Sequence, residues 1–203
     1  MTFEDAAIAI AAAGRRMDAM GWVPATAGNI SIRLGPDEIA ITRSGRHKGL
    51  MTPADVMAVD AAGASLEGGA RPSYETLLHC GIYRRFADAG AVLHGHSIAN
   101  TVLSRRAGAS IHLAGYELLK AFPGGPTHET AIELPVLDND QDIPRLQRAL
   151  DALWDDAPGA PPGYLIRGHG VYVWGTDMNA AMTRLEALEF MLLCHLEEGR
   201  HPR

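Results

Sequence analysis

The sequence predicts an α/β fold: a central, mainly antiparallel sheet covered by helices. Three observations carry that prediction. Segments with helical spacing of apolar residues are interspersed with apolar runs only as long as a strand. Three of those runs follow one another with Gly, Pro and Asp between them, and two more surround a Gly-flanked bend. The chain has neither the GxGxxG fingerprint of a dinucleotide fold nor a Walker loop.

The elements are expected in this order. Residues 3–20 place Phe3, Ala6, Ala7, Ile10, Gly14 and Met17 on one face of an opening helix. NISIRL, EIAITR and VMAVD read as short strands. PSYETLLHCGIYRRF returns to helical spacing through Tyr74, Leu77, Leu78 and Ile82. AVLH is a strand, SIANTVLSRR a helix leading away from it, and YELLKAF one or two helical turns. AIELPVL is a strand that Pro135 marks as an edge or an irregularity. DIPRLQRALDALW is helical, PGAPPG breaks the chain, and YLIRGHGVYVW forms two strands about a tight bend. Asp177 is placed to N-cap a last, long helix through Met178, Met182, Leu185, Leu188 and Leu192.

Composition narrows the class. The 203 residues fit a single domain, 1–203, with 47% apolar and 21% charged side chains, and need no disulfides to bury a core. Cys80 and Cys194 both fall in helical segments and are expected to be reduced. No apolar run reaches the roughly 18–20 residues of a membrane span. MTFEDAA has no basic n-region, so a secretory signal is not expected and the cytoplasm is the expected compartment. A net charge of −6 argues against a nucleic-acid surface, which needs clustered Lys and Arg. It leaves room for a small anion in a local positive pocket.

AVLHGHSIAN holds the first chemical signal. Residues two apart in a strand share a face, so His94 and His96 project together, with Gly95 leaving room at the backbone. A catalytic zinc takes three protein ligands and an open position, and H-x-H supplies two. His169, flanked by Gly168 and Gly170, is either the third or a solvent-exposed turn residue. Glu75 and His79, four apart on a helix, are either a second metal pair or one histidine satisfied by a carboxylate. His112, His128 and His195 lack a partner at ligand spacing, His195 lying where it favours a helix C-terminus. His47 sits among basic residues and His201 in the tail.

Two turns could form a cradle for an anion. TAGNIS puts Gly28 and Asn29 before a strand. TRSGRHKG follows a strand with Ser44, Gly45 and Lys48, and Arg43, Arg46 and Lys48 make a positive cluster in an acidic chain. Gly-containing turns present backbone N–H groups to phosphate, and Lys adds a point charge.

Taken together, TAGNIS, the Ser-Gly turn, PSYET, HGHS and GHGVYVWG resemble, in order, the class II aldolase/adducin family, over about residues 5–198. HKGLMTPADVMAVD, GYELLKAF with THET, and LDNDQDIPRL are similar to its bacterial methylthioribulose-1-phosphate dehydratase branch, which serves methionine salvage. The resemblance implies a three-layer fold with one zinc ion per subunit on His94, His96 and His169. It implies an acid/base role for Glu117, and for Glu75 the place of a base or displaced metal ligand. It puts Gly28, Asn29, Ser44, Gly45 and Ser73 around the phosphate of a phosphorylated ketose. HGHS stands where HTHS is commoner, which removes a side chain between the ligands and is expected to loosen the strand slightly. A cyclic homotetramer is implied, with sites near subunit interfaces and some residues open to donation by a neighbour. Dehydration at C3–C4 is the implied reaction. Aldol cleavage or epimerisation through the same enediolate is the alternative, and a non-catalytic interaction module, as in the adducin branch, is a third reading. Glu117 is otherwise expected to be an exposed helical carboxylate paired with Lys120.

Overall fold

The structure is a computed structural model and describes residues 1–69, 71–123, 127, 129–156 and 161–200. Its strands are β1 (Asn29–Arg33), β2 (Glu38–Thr42), β3 (Val56–Asp60), β4 (Ala91–Gly95), β5 (Ser110–Ala114), β6 (Ala131–Leu137), β7 (Tyr164–Ile166) and β8 (Gly170–Gly175). Its α-helices are α1 (Phe3–Ala19), α2 (Thr76–Arg85), α3 (Ile98–Arg106), α4 (Ile143–Asp156) and α5 (Met178–Glu198). The eight strands form one sheet in the order β3-β2-β1-β4-β8-β7-β6-β5. Every neighbouring pair is antiparallel except β6 and β7.

Alternation along the strands builds two cores. Ile30, Ile32, Leu93, Val171 and Val173 face α1, α3 and α5. Val92, Tyr172 and Trp174 point the other way, with Ile39 and Ile41, against Leu78 and Ile82 of α2 and Leu146 and Trp154 of α4. The result is helix, sheet, helix. Caps set where the helices start. Thr2 and Asp5 form a capping box for α1, Ser97 Oγ accepts from Asn100 N at 3.0 Å, and Asp177 Oδ1 accepts from Ala180 N at 2.8 Å. Cys80 is buried, Cys194 half-buried, and both are free thiols. No helix among the described residues is long and apolar enough to cross a membrane.

Three local readings change. SIHLA, to which the sequence pattern assigns no element, is the edge strand β5, with alternating exposed and buried residues. AIELPVL is the next strand in rather than an edge, though Pro135 does mark an irregularity. β6 pairs with β5 over residues 131–135 and with β7 only at Val136 and Leu137, so the residue without an N–H stands where the partner changes. YELLKAF forms helical turns as expected, as a 3₁₀ helix over Glu117–Ala121. Tyr74 lies ahead of α2, 67% exposed, and donates its hydroxyl proton to Gln141 O at 2.8 Å. His128, His201 and the first half of PGAPPG lie outside the described residues.

Candidate metal centre and anion cleft

The central pair β4–β8 positions the histidines. His94 is fully buried near the end of β4, opposite Tyr172 in register, and His96 follows one residue beyond the strand. The His94 and Tyr172 rings stack 3.9 Å apart at 12°, and Tyr164 continues the stack at 4.8 Å. His169 comes from the turn between β7 and β8. Gly168 takes a φ of +65° there, a left-handed conformation that glycine adopts without strain. Gly170 makes room for the cluster: a Cβ at that position would lie 2.7 Å from His94 Cε1 and 3.1 Å from His96 Cδ2. Gly95 leaves its backbone close to Trp22, whose carbonyl accepts from His96 N at 2.6 Å.

The three imidazoles each offer a nitrogen, and these atoms lie within 4.8 Å of one another. Their tautomers favour a cation. His94 Nδ1 is 2.9 Å from Val171 O, and a carbonyl only accepts, so Nδ1 carries the proton and Nε2 presents a lone pair. That Nε2 is 2.7 Å from His96 Nε2. His169 Nδ1 faces Asn139 Oδ1 at 3.4 Å, which leaves its Nε2 turned inward. Burial lowers His94 to about 4, against the pull of Glu75. Burial and then the neighbouring His94 lower His96 to about 2. Both rings are therefore neutral near pH 7, the state a metal requires. Three ring nitrogens converging beside a carboxylate fit a divalent metal well.

That carboxylate is Glu75, the residue that precedes α2. Its Oε2 is 3.3 Å from His94 Nε2, and its Oε1 is 3.1 Å from His169 Nε2. Asn29 Nδ2 donates to Oε2 at 2.8 Å. Burial alone would raise this carboxyl. The opposing pull of His94 and the hydrogen bonds from His169 and Asn29 outweigh it and hold Glu75 well below the usual carboxylate range.

A cleft of about 270 Å³ opens beside the cluster. Gly28, Asn29, Ser44, Gly45, Lys48 and Ser73 all line it, together with Arg43, Glu75 and His96. Gly28 has φ +76°, and a Cβ on it would meet Val23 Cγ1 at 2.5 Å and His94 O at 2.6 Å, so only glycine lets this turn close against β4. Lys48 is buried. Its Nζ donates to Thr26 O at 2.9 Å and Arg46 O at 2.8 Å, tying the two turns together, and burial pushes its ammonium down to about 8. The basic cluster is partly neutralised: Arg43 pairs with Glu67 at 2.5 Å and Arg46 with Asp55 at 3.3 Å.

Two expectations part from the geometry. Glu75 and His79 are neither a metal pair nor a direct His–carboxylate contact: the His79 nitrogens meet Ser31 and Asn29. Glu117 does not line the cleft. It is exposed and ion-paired with Lys120 at 2.7 Å. Sequence reasoning missed Asn139 behind His169 and Tyr172 behind His94. For Tyr172 the alternation of VYVWG was a usable signal; for Asn139 there was none.

Known proteins resemble this chain along most of its length. Residues 8–196 match the class II aldolase and adducin N-terminal domain. The chain is 59% identical to the methylthioribulose-1-phosphate dehydratase of Granulibacter bethesdensis, over 97% of this chain and 94% of that protein. It is 57% identical to the enzyme of that name from Gluconacetobacter diazotrophicus, over 96% and 94%. Among solved structures, YgbL from Klebsiella pneumoniae superposes with a TM-score of 0.83 at 24% identity, covering 99% and 93% of the two chains, a likeness of fold. L-fuculose-1-phosphate aldolase from Thermus thermophilus follows the same course with a TM-score of 0.74 at 27% identity, covering 95% and 93%. With this match along nearly its whole length, the chain belongs to the class II aldolase and adducin family.

Proposed function

We propose that the chain is a zinc-dependent hydro-lyase of methionine salvage. It dehydrates 5-methylthioribulose 1-phosphate to 2,3-diketo-5-methylthiopentyl 1-phosphate, as a single 1–203 domain in the cytoplasm. The observation that carries this reading is the continuity of the site: three imidazoles converge beside Glu75, and Glu75 and His96 also line the anion cleft. The names of the relatives supply the substrate.

His94, His96 and His169 would hold the ion. When bound, zinc supplies Lewis acidity to the ketose oxygens. The protein supplies the rest. Gly28, Asn29, Ser44, Gly45, Lys48 and Ser73 seat the phosphate and so fix C3 beside the cluster. A carboxylate takes the C3 proton, the C4 hydroxyl leaves as water after protonation, and the enol at C3 tautomerises to the second ketone. We assign that proton traffic to Glu117, the residue the family resemblance points to, acting on the site of a neighbouring copy. Its exposed place outside its own cleft supports action in trans. So does the apolar cleft where its neighbours Leu118 and Ala121 meet Met20, Phe190 and Leu193, the last three each more than half exposed. A cyclic homotetramer would cover such a surface.

The test is metal-stripped and zinc-restored protein with methylthioribulose 1-phosphate. Zinc should restore release of a diketone with new ultraviolet absorbance. Release of an aldehyde and a three-carbon keto phosphate would establish the aldolase reading instead. Metal-free protein that stays inert after zinc addition would favour the interaction module.

A further inference from the structure

Between β1 and α2 lies a largely buried row of polar side chains, several of which the reaction does not use directly. Asn29, Ser31 and Arg33 point from alternate positions of β1 toward α2. Glu75, His79 and Tyr83 face them at intervals of four residues along the helix. Two strand residues span about 6.6 Å and four helical residues about 6.0 Å, so the rows stay in step. Asn29 meets both Glu75 and His79. Ser31 meets both His79, at 2.7 Å, and Tyr83, at 2.8 Å. Arg33 lies over the Tyr83 ring at 4.9 Å and donates to the carbonyls of Tyr83 and Phe86 at the end of α2.

Donors and acceptors along this row can be assigned in only one direction. Asn29 Nδ2 donates to Glu75 Oε2 at 2.8 Å, so the NH₂ of the carboxamide is turned toward that carboxyl. Asn29 Oδ1 then faces His79 Nε2, and that nitrogen must carry hydrogen. His79 is fully buried, and burial pushes it down to about 3, so the ring is neutral. Its Nδ1 therefore accepts, the Ser31 hydroxyl donates to it, and Tyr83 donates to Ser31. Reversing the ring tautomer would turn the Asn29 carbonyl oxygen toward the Glu75 carboxylate.

We infer that His79 is a positioning residue: its Nε2–H tautomer locks the Asn29 carboxamide with the NH₂ toward Glu75, which fixes that carboxylate beside the metal site and orients one wall of the anion cleft. The inference rests on the proposed function only where it concerns turnover. The tautomer stands apart from it.

Nitrogen-15 NMR of the histidines, on the full-length protein, tests the tautomer directly. At pH 7 His79 should carry its proton on Nε2 alone; a proton on Nδ1, or on both nitrogens, would overturn the inference. Two substitutions test the consequence. In H79Q the terminal amide can still donate to Asn29 but gives the Ser31 hydroxyl proton no acceptor in place of Nδ1, whereas in H79N the shorter amide can reach Ser31 but not Asn29. Each loses one buried hydrogen bond, so their Tm values should fall by similar amounts. Dehydratase kcat/KM should nonetheless separate them: H79Q within about threefold of wild type, and H79N down about 10- to 100-fold, as when a partner behind a functional group is removed. Equal losses in the two variants, following Tm, would reduce His79 to a packing residue and overturn the inference. If wild-type protein dehydrates nothing, the functional reading fails while the NMR result still decides the tautomer.

Discussion

Glu75 and Glu117 carry the same carboxyl group in opposite settings. Glu75 is 7% exposed, wedged between two imidazoles and an asparagine, and held ionised by them. Glu117 stands on the surface against Lys120. Local spacing offered each a partner on its own helix, His79 for one and Lys120 for the other. Only the surface pair formed. The buried residue found its partners on β1, β4 and the β7–β8 turn, because burial makes a charge seek every donor within reach. The contrast teaches that helical spacing reads partners well where water surrounds a side chain, and poorly where the sheet closes over it.

The largest way to break the contrast is to remove the imidazoles that define the Glu75 setting. H96A should abolish both metal binding and turnover, read by elemental analysis and by assay; stoichiometric zinc in H96A would refute the three-histidine site. Next comes E117Q. Loss of a general acid/base costs about 10²- to 10⁴-fold in turnover. Zinc content should stay the same, and stability should move by less than about 0.5 kcal/mol, since the residue is a surface one. Mixing E117Q with H96A and letting the subunits exchange should recover activity in sites that pair an intact metal centre with an intact Glu117. Failure of that mixture, with each parent inactive, would return Glu117 to its own subunit. Full turnover in E117Q would move the proton role to Glu75.

E75Q should sharpen the comparison from the other side. It alters a buried group with three polar partners, so turnover should fall about 10- to 100-fold and Tm should fall with it. An E75Q protein of wild-type Tm would mean that the carboxylate contributes nothing to the fold. The smallest effect concerns Lys48. Its depressed ammonium loses charge as pH rises through about 8, so KM for the phosphorylated substrate should climb above that pH. In K48M, KM should be raised about 10-fold and flat over the same range. Stability runs the opposite way. The unfolded chain keeps this proton up to the ordinary lysine value of 10.5, so the unfolded state binds more protons and the Lys48 contribution to stability rises with pH from about 8 to 10.5. A K48M protein whose KM still climbs above pH 8 would assign that limb elsewhere.

Much of the fold was legible because period and punctuation agreed. Asp177 before an apolar stripe, and Gly on both sides of His169, each have a physical reading that the structure repeats. The strand at 110–114 escaped although its alternation is clear, because only two of its five side chains are buried. Pro135 signalled trouble in β6 but could not say that the strand changes partner there. For the site, H-x-H and the two Gly turns pointed to residues that the sheet does bring to one opening. Asn139 and the Asn29–His79 contact were beyond reach, since each depends on segments 30 or more residues apart that only the sheet joins.

The change of partner in β6 has a consequence for how the molecule opens. The β5–β6 hairpin, whose connection carries Glu117, is joined to β7 at only two residue pairs, whereas the imidazole-bearing β4 shares five with β8. That thin seam lets the hairpin fray on its own while the ring cluster stays shut, so amide exchange should start at β6 and leave β4 for last.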